Sequence, residues 1–414
     1  MATTAPARPF STHLRSLSSR NFLNGTSFIH HQESKNKTKN TTTLSLKSTS
    51  FQPIAALPFN LSPPPIDHDL LIRFTENPFF FLIKQKHENK RSAGAGVSEN
   101  GIVETFGNDD ESLDAVENGV AVVDLSHFGR IRVSGDDRIQ LLHNQSTANF
   151  ENLRERQGCD TVFITPTART IDIAHAWFMK NSIMLVVSPL TCGSISDMLN
   201  KFIFFADKVE IQDITKQTSL FILLGPKSNT VMSSLNLSDL VGQAYGTHRH
   251  YSVNGILLSL GTILMGSNAW EKLRVIQGRP TPGKELTNEF NILEAGLWNS
   301  VSLNKGCYKG QETVSKLITY GVKQRLWGIC LSAPVEPDSA IMVDGKKVEF
   351  ISLSSTFQRG ETDGRKESDH FGLGYIKKQV ALGETVIVRE NIVGTVVEVP
   401  FLSQQHPPTK STTP

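Results

Sequence analysis

A chain of 414 residues with a formal net charge of +2 can bury sizeable cores, but it carries no excess charge to attract nucleic acid or an anionic membrane surface. No run of apolar residues approaches the roughly 20 needed to span a bilayer. Four cysteines, Cys159, Cys192, Cys307 and Cys330, are too few and too scattered for a disulfide framework; no CxxC, HExxH or Cys/His cluster at zinc spacing occurs, so no metal site is expected.

In chain order, residues 1–60 carry Arg8, Arg15, Arg20, Lys35, Lys37, Lys39 and Lys47 against the single acid Glu33, among hydroxyl-rich runs with no steady apolar period. That composition predicts an organelle transit peptide over 1–50, and the uncharged MATTA start points to the chloroplast over the mitochondrion. A linker and N-terminal extension follow over 51–100, including FNLSPPP. VAVVDL (120–125) reads as a strand, and GRIRVSG then alternates Ile131 and Val133 against Arg130 and Arg132 as a half-buried strand. Asp136 is placed to cap a helix that presents Ile139 and Leu142 on one face. TVFIT, RTIDIAHAWF and IMLVVS continue the strand-rich pattern. Residues 191–205 predict a helix capped by Thr191, with Ile195, Met198, Leu199 and Phe202 at helical spacing. VEIQDI and SLFILLG read as strands, NAWEKLRVIQG as a helix stopped by Gly278, and QETVSKLITYG as a short helix with Val314, Leu317 and Ile318 inward and Gly321 at its end.

From about residue 325 the pattern changes to strands alone, a boundary set by period. AIMVDGKKVEF predicts a hairpin about Asp344-Gly345, TVIVRENIVGTVVEV predicts a second pair, and the polar stretch 358–370 predicts a loop between them. Closing such strands into a barrel removes their edges. Helices and strands mix without regular βαβ alternation, so the fold class is α+β: a body over 101–324, a β-barrel over 325–402 and a disordered tail over 403–414.

Cys307 lies in NKGCYKGQET, between Gly306 and Gly310, with Lys305 and Lys309 close by and a helix beginning just after. Neighbouring cations and a helix N-terminus favour the thiolate, whereas a free cysteine elsewhere is commonly a small buried hydrophobe. The spacing leaves both readings open. It does not make a phosphate loop, because three residues rather than four separate the glycines and Gln311 follows the second. Cys192 and Cys330 read as core residues, and Cys159 is undecided. Asp124 either caps a turn with Ser126 or acts on a ligand. Asp172 interrupts a mainly apolar strand, where an unpaired carboxylate would be costly. It needs Arg169 or His175 as partner, or it faces a cavity and meets a ligand.

Two longer blocks, VVDLSHFGRIRVSGDDRIQLLHNQSTAN (122–149) and LRVIQGRPTPGKELTNEFNILEAGLWNSVSLNKGCYKGQE (273–312), carry a resemblance to the YgfZ/GcvT-like family of tetrahydrofolate-binding proteins. The second closes on KGC[FY]xGQE, the signature of the YgfZ branch, and with the N-terminal composition the chain resembles a plant chloroplast (stromal) member. The resemblance implies an α+β folate-binding body over 101–324 around a central channel, followed by a C-terminal barrel. It also implies tetrahydrofolate, or a one-carbon-substituted reduced folate, as cofactor. The implied function is biogenesis or maintenance of iron–sulfur proteins, with those proteins or their assembly machinery as partners, and Cys307 and Lys305 as functional residues. Asp172, in ARTIDI, sits where aminomethyltransferase relatives keep a folate-facing acid, and Glu294, in LEAGL, matches a second motif. The relatives' ARDSLR is replaced by TNEFNI, and their GYTGE segment is missing. Arg274 is therefore either a substitute for a folate carboxylate or a surface helix arginine. A folate-dependent one-carbon transferase and a non-catalytic folate-binding adaptor are the alternative functions.

Overall fold

The computed structural model describes residues 95–235, 237–249, 262–336, 339–343, 346–358, 368–377, 380–388 and 392–405. The expected transit peptide, the linker to residue 94, the Asp344-Gly345 turn, the middle of the 358–370 loop and the tail from 406 lie outside the described residues.

Strands β1 (Gly96–Val97) and β2 (Val103–Thr105) lead to helix α1 (Asp109–Asn118) and to β3 (Ala121–Asp124), the predicted apolar strand. Next come β4 (Gly129–Ser134), α2 (Arg138–Gln145), β5 (Gly158–Ile164), β6 (Thr170–Phe178), β7 (Ser182–Val187), α3 (Cys192–Asn200) and β8 (Glu210–Asp213). Then follow β9 (Phe221–Leu224), α4 (Ser228–Ser234), β10 (Ile263–Met265), α5 (Ser267–Gln277) and α6 (Gln311–Tyr320). The last strands are β11 (Gln324–Leu331), β12 (Ser339–Val343), β13 (Lys346–Gln358), β14 (Ser368–Lys377), β15 (Thr385–Val388) and β16 (Ile392–Val397), with a closing helical turn α7 (Pro400–Ser403).

Three assemblies result. β3 is the middle of a small sheet, parallel to β10 and antiparallel to β9, and packs Ala121 and Val123 against α1 and α5. β5-β6-β7-β4-β8 form an antiparallel sheet. One face of this sheet, with Ile131, Phe163, Ala174 and Leu185, buries Leu142 of α2 and Ile195 and Leu199 of α3. Each of those fully buried aliphatic side chains contributes about 2 kcal/mol. The other face sets Val162, Ile164 and Ile173 against the 286–301 segment, Val314 of α6 and Tyr375 of β14. The last six strands pair in the order β11-β14-β13-β12-β15-β16, and the β11–β16 ladder closes them into a barrel. Mixed helices and mainly antiparallel sheets make the fold α+β.

Several local expectations give way to tertiary contacts. Arg130 is 2% exposed and lies within the body. Its guanidinium donates to the Thr218 hydroxyl and to the carbonyls of Phe128, Ser126, Thr215 and Thr218, which lifts the penalty of burial. Thr191 does not cap α3; its hydroxyl donates to Asp172 and to the Ser188 carbonyl. The helix stops at Asn200 instead of 205, the chain turns through Phe204–Asp207, and Phe202, Phe204 and Phe205 are left exposed. Asp136 pairs with Lys208 rather than capping α2. Other signals hold. Gly278 ends α5 at φ 77° with its N–H on the Val275 carbonyl, and Gly321 follows α6.

Candidate functional site

The signature segment is built on the C-terminal turn of α2. Lys305 Nζ donates to the carbonyls of His143 (2.5 Å), Ser146 (2.8 Å) and Ala148 (2.7 Å), so all three ammonium protons are used. The last carbonyls of a helix have no intrahelical partner, and a cation there also meets the negative end of the helix dipole. Burial nevertheless pushes the ammonium down to about 8. On the other side of the cysteine, the Lys309 N–H donates to the Asn144 carbonyl at 2.9 Å, and its Nζ lies 3.0 Å from Met198 Sδ on α3. Tyr308 is buried in the core shared with α6. Gly310 adopts φ 83°, where an added Cβ would come within 2.7 Å of Ile164 and of the Thr165 carbonyl. Gly306 needs no such freedom, since its Cβ would meet only His143 Nε2 at 3.6 Å. Between these anchors Cys307 is exposed, with a free thiol. Lys305 therefore holds the loop down and is not positioned by any bond to act on the thiol. Expected as a catalytic residue beside the thiol, Lys305 has every ammonium proton on a backbone carbonyl.

Of the other thiols, Cys192 is buried against α3's apolar neighbours as expected, and Cys330 is half-buried beside the core. Cys159 is resolved as a core-side residue: burial, with Asp160 next to it, pushes its thiol up to about 12.

Asp172, at 2% exposure, takes neither Arg169 nor His175 as partner. Oδ1 accepts from its neighbour's backbone, Ile173 N–H (2.7 Å), while Oδ2 accepts from Ser188 N–H (2.7 Å) and the Thr191 hydroxyl (2.5 Å). Arg169 donates instead to the Glu289 carbonyl, and His175 to Asp160. Burial pushes the Asp172 carboxyl up to about 6, against the pull of those donors. A carboxylate offers about four acceptor positions, so one on Oδ1 is left for a ligand N–H. Asp124 is simpler: its Oδ1 accepts from the Ser126 N–H at 2.8 Å and closes a turn.

Glu294 and Arg274 also do local work. Glu294 Oε2 accepts from Asn291 N–H (3.1 Å) while Asn291 Oδ1 accepts from the N–H groups of Leu293 and Glu294, a reciprocal cap over the LEAGL turn. Burial pushes its carboxyl up, and acceptor capacity remains for a ligand donor. Arg274, by contrast, has no N–H to offer. Nε donates to Glu271, Nη1 to the Arg279 carbonyl and to Glu285 Oε2 (2.9 Å), and Nη2 to Glu271 (2.6 Å) and Glu285 Oε1 (3.2 Å). It is a buried arginine rather than a surface one, and as a candidate for a ligand carboxylate it has its donors already engaged inside the protein.

A polar cluster on the opposite face of β6 from Asp172 was not legible beforehand. Register pairs Asp160 with His175 across β5 and β6. Asp160 Oδ1 accepts from His175 Nδ1 (2.8 Å) and the Tyr245 hydroxyl (2.7 Å), and its Oδ2 lies 3.9 Å from Arg279 Nη1. Although burial pushes the Asp160 carboxyl up, the His175 hydrogen bond and the Arg279 charge hold it below the usual carboxylate range. His175 meets Trp177 and Tyr245 edge-on at 5.2 and 5.3 Å. An acid opening strand β5 and a histidine at the third position after Asp172 were the available signals, but only strand register joins them. Among the described residues no group of histidines, cysteines and acids could hold a metal ion, and no helix is long and apolar enough to cross a membrane.

Comparison with known proteins places this geometry. Residues 103–259 match the GCVT N-terminal domain family. A chloroplastic protein of Arabidopsis thaliana, whose name proposes a transferase activity, is 59% identical over 385 residues, covering 85% of this chain and 84% of that protein. An aminomethyltransferase of Shouchella clausii is 22% identical over 328 residues, covering 69% of this chain and 88% of the relative. Among solved structures, the glycine cleavage system aminomethyltransferase T of Bartonella henselae superposes with a TM-score of 0.62 at 16% identity, over 77% of this chain and 97% of that one. With the fold shared and a near relative matched along most of its length, the chain belongs to the GCVT N-terminal domain family.

Proposed function

We propose that this chain is a chloroplast protein of transferase type that binds a reduced folate and acts, through an exposed thiol at Cys307, in the biogenesis or maintenance of iron–sulfur proteins. Within the family it is assigned to the YgfZ branch. The observation that carries the thiol assignment is the build of the signature loop: Lys305, Tyr308, Lys309 and Gly310 are all committed to anchoring, and Cys307 between them is exposed with a free thiol. The chloroplastic relative supports the location. A folate fits the residues present: Asp172 keeps one acceptor position and Glu294 has capacity for another, as the N–H edge of a pterin requires. A reduced folate supplies one-carbon chemistry at its N5/N10 region; Asp172, whose carboxyl burial pushes up to about 6, would orient the ring and hold or release a proton at Oδ1. Partners are the folate and iron–sulfur clients presenting a group to the thiol.

A second reading, transfer of a one-carbon group to a small acceptor, draws on the aminomethyltransferase fold and the retained Asp172. The replaced ARDSLR segment weighs against aminomethyl transfer itself. The test is calorimetric titration with tetrahydrofolate of the wild type, Asp172→Ala and Cys307→Ser, beside recovery of iron–sulfur enzyme activity in plastids lacking the protein. Binding lost in Asp172→Ala, and client recovery lost in Cys307→Ser with binding retained, is the expected result. A Cys307→Ser protein that restores the clients would leave a folate-binding adaptor.

A further inference from the structure

Where α3 ends, the chain turns outward carrying three phenylalanines. Ile203 packs inward on the core beneath α2 and α3, while Phe202, Phe204 and Phe205 stay exposed, Phe204 at 71% and Phe205 fully. The turn is fastened at both ends. Asp207 Oδ2 accepts from the Phe204 N–H (2.8 Å), and the Asp207 N–H donates to the Phe204 carbonyl (2.9 Å). The Lys208 N–H donates to Asp137 Oδ2 (2.9 Å), and the Asp137 N–H to the Lys208 carbonyl (3.3 Å). Rings held out on a fixed turn give up little freedom when a partner covers them, and apolar surface gathered in one place marks a binding face.

This patch runs up to the thiol loop. Lys309, two residues after Cys307, sets its Nζ 5.5 Å from the centroid of the Phe202 ring and 3.0 Å from Met198 Sδ. Burial pushes that ammonium down, and among the described residues no carboxylate pairs with it. Lys201, at the C-terminal end of α3, is exposed and likewise makes no ion pair among the described residues. A partly desolvated ammonium without a counter-charge gains most from an incoming carboxylate. The surface therefore calls for apolar side chains and an acid together, which a polypeptide segment supplies. A small molecule would leave most of a protruding turn uncovered, since such ligands are held in clefts. An anionic bilayer would bring its headgroups against Asp136, Asp207 and Glu210 at the base of the same turn.

We propose that Phe202, Phe204 and Phe205, with Lys309 and Lys201 at their edges, dock an acidic, apolar segment of a client polypeptide and so deliver its reacting group to Cys307. This rests on the thiol reading above and adds to it the class of partner: a protein recognised by an exposed segment, not a small acceptor. Docking itself makes and breaks no bond.

The test uses the full chain and three mixed disulfides of thionitrobenzoate. One carries a peptide of alternating glutamate and leucine ending in cysteine, one its lysine-for-glutamate counterpart, and one mercaptoethanol. In each, the Cys307 thiolate attacks the carrier's sulfur, a new S–S bond forms, the old one breaks, and thionitrobenzoate leaves with the electron pair as a coloured ion. The rate in Cys307→Ser is subtracted. Wild type should react with the acidic peptide about tenfold faster than with the basic one. Phe204→Ser combined with Phe205→Ser should slow the acidic peptide about tenfold and leave the mercaptoethanol probe unchanged. Both rings are exposed, so an intact fold is expected, and the mercaptoethanol rate verifies it in the same samples. Lys309→Gln should shrink the acidic-to-basic ratio severalfold, a ratio in which any change in the thiol's own reactivity cancels. Equal rates for the two peptides in wild type, or a double variant that slows all probes equally or none, overturns the docking surface alone. So does a double variant that keeps the peptide rates and instead loses cosedimentation with phosphatidylglycerol vesicles, or a concentration-dependent dimer. A wild-type chain whose Cys307 reacts with none of the probes overturns the thiol reading, and the docking surface with it.

Discussion

Replacing Lys305 with methionine should unfasten the signature loop. Three charge-assisted hydrogen bonds join Nζ to the carbonyls of His143, Ser146 and Ala148. At the low end of about 1.5 kcal/mol each for bonds to a charged group, they amount to about 4.5 kcal/mol. Holding a half-buried ammonium away from water costs about 1–2 kcal/mol, which the substitution removes. The net loss is about 3 kcal/mol, and three carbonyls at the end of α2 are stranded with it. Urea unfolding of the full chain, followed by tryptophan fluorescence, should show the midpoint fall accordingly. In the same samples, without denaturant, alkylation of Cys307 by iodoacetamide should change rate, because the thiol's frame is no longer pinned at its N-terminal side. Lys305→Arg should not rescue, since a planar fork cannot point at three carbonyls converging on one nitrogen. A midpoint within about 0.5 kcal/mol of wild type, with alkylation unaltered, would refute the clamp and return Lys305 to the candidate catalytic residues.

Asp172 binds its proton more tightly in the folded chain, at about 6, than a free carboxyl does. Its contribution to stability is therefore full below the unfolded value and is lost as pH rises through about 6; Asp172→Asn should flatten that part of the stability–pH curve, measured by chemical denaturation between pH 4 and 7. Gly310→Ala forces a methyl to within 2.7 Å of the Thr165 carbonyl at φ 83° and should cost about 2–3 kcal/mol, read as a lower thermal midpoint. Arg274→Ala leaves Glu285, which is 0% exposed, without its cation and should destabilise the chain by about 3–5 kcal/mol; Arg274→Ala paired with Glu285→Gln should recover part of it.

Periodicity made the elements legible, because burial of one face imposes it locally. The α5 stop at Gly278 and the inward row Val314, Leu317 and Ile318 of α6 follow from the same local logic. What the pattern hid were polar residues whose partners are distant along the chain. Alternation sends Arg130 to solvent, but Thr215 and Thr218 bring acceptors from more than eighty residues away. Lys305 beside a cysteine suggests an activating charge, whereas its acceptors belong to a helix end about 160 residues earlier. For Asp172 the chemistry of an acid in an apolar strand demanded partners, and the choice among them fell to a serine amide and a threonine hydroxyl beyond the next strand. The two arginines of RVIQGR were indistinguishable by type; only packing shows which one is consumed.

The final turn of the described chain acts as a buckle. Val399 fills the space a side chain at Gly278 would need, 2.3 Å from its would-be Cβ, and Leu402 does the same at Gly296, 2.7 Å away. Asn299 reaches across to donate to the Gln404 carbonyl and to the Gln405 side chain. Just before that turn, β16 supplies the ladder with β11 that closes the barrel. Body and barrel are thus fastened at two places, by this turn and by Tyr375 of β14, which stacks on Phe290 and donates to the Glu285 carbonyl. A variant shortened before Val399 would keep that stack and lose the turn's share of the fastening, leaving the apolar notches at Gly278 and Gly296 unfilled.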